Sequence, residues 1–194
     1  VTVFELRSCV ARQWSPQIGD PELTGWVTVL AYAVAALLSG LVWRRLADDP
    51  LRIFWGVLVV LLAFLAVNKQ LDLQTVLTEA GKCLSRAQGW YDDRRVVQVA
   101  FIGTLLIVLL MAMGVLMAVL RGRIAQNALA LAGLILVLGF VMLRAVSIHN
   151  VDQILGGASL GLSNNFLLEN AGLVLIALNA LWLLRRPHGR LRPR

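Results

Sequence analysis

His149 and Asp152 stand three positions apart, so on a helix the carboxylate can orient the imidazole, and this is the nearest the chain comes to an acid–base couple. Arg144, Ser147 and Asn150 surround that pair. A second polar group, Asn68, Lys69, Gln70 and Asp72, closes one apolar run, and a third, Asn164, Asn165, Glu169 and Asn170, opens another. Brought to one rim, these residues could act on a lipid, polyprenyl or quinone headgroup. His149 would be the base, Asp152 its orienting partner, Glu169 a further carboxylate, and Arg144 or Lys69 the anion binder. The same residues also read as a polar network that satisfies helix ends, with Arg144 and Glu169 forming an ion pair or Arg144 reaching out to the surface.

Other chemistries lack their residues. One histidine with scattered carboxylates has no metal-ligand spacing, and His188 lies too far away, on the other side, for bis-histidine haem. Cys9 and Cys83 are too few for a structural zinc site or an iron–sulfur cluster. No GxSxG, HExxH or Walker pattern occurs. Neither a metal nor a cofactor is expected. Ionisable groups that stop short of the bilayer centre also make a transport pathway a weak reading.

The elements that position these residues follow from composition. The chain is 59% hydrophobic and carries a net charge of +7, more apolar surface than a soluble domain of 194 residues could easily bury. It reads as an all-α polytopic bundle, a single membrane domain over 1–194 with five spans near 21–43, 50–68, 97–120, 124–147 and 165–184. Asp20–Pro21 and Asp49–Pro50 each offer an N-cap oxygen followed by a proline at the first helical position. Small residues offer helix contacts at Ala31, Ala35 and Ser39, at Gly114 and Ala118, and at Ala128 and Ala132.

Arginine sets the direction. Arg44 and Arg45, Arg121 and Arg123, and Arg185 through Arg194 fall on one side of an alternating five-span path, which the positive-inside rule makes cytoplasmic. The amino terminus is then extracytoplasmic and the carboxyl terminus cytoplasmic. Arginines in short turns beside apolar spans also argue against nucleic acid as a partner. No cleavable signal peptide is expected, since residues 1–14 hold Glu5, Arg7 and Arg12 and no long apolar stretch. The arginine side is expected to be chemically plain.

Between the second and third spans, Leu73, Val76, Leu77, Ala80, Leu84 and Ala87 recur at helical spacing, so 72–88 reads as an amphipathic helix on the outer membrane surface, stopped by Gly89. Cys9 and Cys83 fall on that same side, where an oxidising compartment permits a disulfide.

The segments SPQIGDPELTGWVTVLAY, VNKQLDLQTVLTEAGKCL, AQGWYDDRRVVQ and LRAVSIHNVD together resemble a family of bacterial inner-membrane proteins without an established activity. The resemblance implies a bacterial cytoplasmic membrane and transfers no catalytic residue. The expectation is a non-catalytic accessory or scaffold subunit that contacts a larger membrane complex or membrane lipid, and the competing expectation is the headgroup enzyme outlined above.

Overall fold

The computed structural model describes residues 3–13, 22–47, 49–71, 73–91, 94–146, 158–159 and 162–186. Five helices are long and apolar enough to cross a membrane: α2 (Leu23–Arg45), α3 (Leu51–Leu71), α5 (Arg94–Val119), α6 (Ala128–Val146), which continues a 3₁₀ turn at Ile124–Asn127, and α7 (Asn164–Arg185). Two shorter helices, α1 (Val3–Gln13) and α4 (Leu73–Gln88), pack against each other. A two-residue antiparallel ladder pairs Ala158–Ser159 with Leu162–Ser163 ahead of α7. The protein is a multi-pass helical membrane bundle.

Local sequence explains the boundaries. Asp49 Oδ1 accepts the Leu51 backbone N–H at 2.9 Å, which satisfies a donor that α3 itself leaves open. The Asp20–Pro21 cap lies outside the described residues. Gly89 has φ +77° and the Trp90 N–H returns to the Ser85 carbonyl at 3.1 Å, so α4 ends in a left-handed glycine closure that a side chain would strain. Gly122, at φ +82°, makes the equally tight turn between α5 and the 3₁₀ segment.

The core lies among α2, α3, α6 and α7. On α2 the buried residues Gly25, Thr28, Tyr32, Ala35, Ser39 and Val42 follow alternating three- and four-residue steps, one stripe of a helix turned toward its neighbours. Phe54, Trp55, Leu58 and Leu62 answer from α3, Leu134 and Val137 from α6, and Leu173, Ile176 and Ala180 from α7.

The closest helix contact joins α6 to α7. A Cβ added at Gly172 would lie 2.8 Å from the Gly133 carbonyl oxygen, and one at Gly133 would lie 2.4 Å from the Gly172 oxygen. Neither backbone leaves room for a side chain. Of the small residues singled out from sequence, Ala35 and Ser39 are fully buried and Ala31 is half-buried, whereas Gly114, Ala118, Ala128 and Ala132 are not buried. Spacing identifies a possible helix face but not which face a neighbour covers. On α6 that face carries Ala130, Gly133 and Val137.

α5 stands apart. A third or more of the spanning window in α2, α3, α6 and α7 is buried inside the protein, and none of the window in α5 is. Among the described residues its carboxyl-terminal part meets the core, through Met113, Leu116 and the following Leu120.

Candidate functional site

At the end of the bundle where α3 finishes and α7 begins, Glu169 is buried and both carboxylate oxygens are engaged. Tyr32 donates its hydroxyl to Oε1 at 3.0 Å, and Lys69 Nζ donates to Oε2 at 3.2 Å. The buried stripe of α2 presents Tyr32, the last turn of α3 presents Lys69, and Glu169 lies in the second turn of α7. One residue on, Asn170 Nδ2 donates to Thr28 Oγ1 at 3.0 Å and to the Phe166 carbonyl at 2.9 Å, and Thr28 donates its own hydroxyl to the Thr24 carbonyl at 2.9 Å. The cluster therefore ties three helices together inside an apolar wall.

A carboxylate in hydrocarbon needs a counter-charge and donors, and Glu169 has both. Among the described residues its charged partner is Lys69; the Arg144 side chain lies outside them, as do Asp72, Ser147, His149, Asn150, Asp152 and the side chain of Asn165. Of the residues chosen from sequence, the structure brings Lys69, Glu169 and Asn170 into one region, with Asn68 and Gln70 beside Lys69 on α3. Gln70 differs in kind: both polar atoms of its amide are buried without a hydrogen-bond partner among the described residues. A carboxylate held through both oxygens is poorly disposed to accept a substrate proton, so Glu169 itself serves as a link between helices.

Tyr32 and Thr28 are additions to the sequence-derived rim. Their signal is a hydroxyl on the small-residue stripe of α2, where a polar side chain must find a partner across the helix interface.

The opposite end is also tied together by polar side chains. The Arg123 guanidinium bonds Asp49 Oδ2, joining the α5–α6 turn to the α2–α3 turn. Trp55 Nε1 donates to Asn127 Oδ1 at 3.2 Å, and Asn127 Nδ2 donates to the Arg123 carbonyl at 3.1 Å. Asn179, deep in α7, accepts the Ala130 N–H at 3.0 Å and donates to the Gln126 carbonyl at 3.0 Å, which completes the first turn of α6. Arg45 donates to the carbonyls of Leu183, Leu184 and Arg186 and so caps the carboxyl end of α7. These structural links escape charge counting, which treats arginine as a topological marker and overlooks amides such as Asn127 and Asn179 inside apolar runs.

Cys9 of α1 and Cys83 of α4 form a disulfide with Cα atoms 6.2 Å apart. Lys82 pairs with Glu79 at 2.6 Å on the same helix.

No family model, no curated protein and no solved structure matches this chain.

Proposed function

We propose that this protein is a non-catalytic accessory subunit of a larger membrane complex, and that α5 is the helix through which it joins a membrane-spanning helix of a partner protein. The carrying observation is the isolation of α5: four spans bury a third or more of their windows within the bundle and this one buries none. Its composition suits a protein neighbour. Gly103 and Gly114 have nothing within 4 Å of an added Cβ, so they cost helix propensity without serving a contact inside the chain. Met111 and Met117 are exposed on it, and methionine is the side chain that adapts most readily to irregular surfaces. A helix that meets only acyl chains has no need of either.

The same reading places the disulfide-bonded α1–α4 pair outside a bacterial inner membrane and the arginine turns in the cytoplasm. Support comes from Arg44, Arg45, Arg121, Arg123, Arg185 and Arg186 lying at the end opposite the disulfide, whereas the basic residues at the disulfide's end, such as Arg12, Lys82 and Arg86, are interleaved with Glu5 and Glu79.

The test exploits the bonded cysteines, because a single new cysteine is then the sole free thiol. Cysteines placed one at a time along α5 in native membranes, followed by a thiol-anchored photocrosslinker, should give adducts only at positions on one helical face. Mass spectrometry should identify the same spanning protein from each. Leu37→Cys, on an exposed face of α2, serves as control. Adducts to lipid alone, or to a second copy of this chain, would overturn the assignment.

A further inference from the structure

Two exposed apolar ridges run along the bundle surface and each ends in arginine. On α7, Val174, Leu178 and Trp182 are exposed at four-residue steps, and the next step is Arg186, whose guanidinium stacks 3.5 Å over the Trp182 ring. On α2, Leu37 and Leu41 are exposed and lead toward Arg44. From Val174 to Arg186 a helix rises about 18 Å, close to the depth of one leaflet of hydrocarbon, about 15 Å.

Among the described residues, Arg44, Arg185 and Arg186 at this junction are not held by an ion pair. Arg45 already covers the terminal carbonyls of α7, so Arg185 and Arg186 are not required as caps. Asp49 is taken by Arg123, and among the described residues no carboxylate pairs with Arg44, Arg185 or Arg186. Because Arg45 bonds across to α7, the end of α2 that carries Arg44 is held beside the end of α7 that carries Arg185 and Arg186. Stacking on Trp182 keeps Arg186 at the level of an exposed indole, which is the headgroup level of a bilayer, rather than out in water.

We propose that the joined ends of α2 and α7 bind the phosphate of an anionic phospholipid through Arg44, Arg185 and Arg186, with an acyl chain lying along Val174, Leu178 and Trp182. Guanidinium forks match phosphate oxygens in pairs, and the ridge supplies the apolar length that a free phosphate has no use for. The inference stands independently of a partner at α5.

Native mass spectrometry of the full chain, released from mixed micelles holding equal phosphatidylglycerol and phosphatidylcholine, tests it. Phosphatidylglycerol should be retained in preference. Each arginine exchanged for glutamine should lower that preference about five-fold, and the triple variant Arg44→Gln, Arg185→Gln, Arg186→Gln should lower it on the order of a hundred-fold. Arg121→Gln, an exposed arginine of the α5–α6 turn, should keep the wild-type preference, and intact α-helical circular dichroism shows that the triple variant is folded. Equal retention of the two lipids, or a triple variant that retains phosphatidylglycerol like wild type, overturns the proposal. Displacement of the lipid by an equal concentration of inorganic phosphate would assign the site to a free anion instead and overturn it as well.

Discussion

Replacing Lys69 by methionine keeps much of the length of the side chain and removes the only charge bonded to Glu169 among the described residues. The two side chains are 13% and 5% exposed, and their charged atoms lie 3.2 Å apart. At an effective dielectric constant near 20, that separation corresponds to an attraction of about 5 kcal/mol. Desolvation offsets much of this in the intact pair, so the pair itself contributes little, but breaking it strands a buried carboxylate at a cost of about 3 to 5 kcal/mol. Glu169→Gln should cost less, about 1 to 3 kcal/mol, because Lys69 sits in the last turn of α3 and its stem can carry the ammonium outward. The double variant removes both charges and should recover at least about 2 kcal/mol of the Lys69→Met loss. Unfolding in mixed micelles by titration with sodium dodecyl sulfate, followed by loss of helical circular dichroism, measures all three. A Lys69→Met variant within about 0.5 kcal/mol of wild type, or strictly additive single and double variants, would refute the view that these groups form one unit.

Gly172→Leu should force α6 and α7 apart, since even a Cβ there meets the Gly133 carbonyl at 2.8 Å; a loss of at least about 1 to 3 kcal/mol is expected in the same titration. Gln70→Leu removes a buried amide that has no partner among the described residues and should stabilise the bundle by about 1 to 3 kcal/mol, read as a later unfolding midpoint. Exhaustive alkylation of the denatured protein should label no thiol before reduction and both Cys9 and Cys83 after it, and Cys9→Ser should expose α1 to limited proteolysis while leaving the helical signal of the spans in place. Arg123→Gln leaves Asp49 without its guanidinium at the junction of two turns, and a destabilisation of about 1 to 3 kcal/mol should appear as an earlier midpoint.

Spans of apolar residues carry their own boundary signals, which is why the five-helix architecture and the amphipathic helix at 73–88 are legible in the amino-acid sequence alone. The limits differ by three residues at Leu71 and Arg94, where polar residues at a helix end continue the hydrogen-bonding pattern beyond the apolar run, and the described part of α2 begins at Leu23 rather than 21. Partner choice is not legible. Depth alone points to Arg144 as the counter-charge for Glu169, and it is the packing of α2, α3 and α7 that brings Lys69 to it; the Arg144 side chain lies outside the described residues. Asn127 and Asn179 escape a reading by charge because an amide adds none, yet each bridges elements distant in sequence. The isolation of α5 is hidden for the opposite reason: a helix facing lipid and a helix facing protein look alike in hydropathy.

The Cys9–Cys83 bond closes a covalent ring of two complete membrane crossings, with a sequence separation of 74 between its ends. During synthesis Cys9 precedes the first crossing and Cys83 follows the second, so the sulfurs meet only once the α2–α3 hairpin has been fully threaded and both thiols face the same compartment. The bond is thus a record of insertion. A membrane-embedded molecule with Cys83 still reduced marks a hairpin stalled halfway, and quantifying that thiol over time in pulse-labelled cells would report the rate of threading without any reporter fused to the chain.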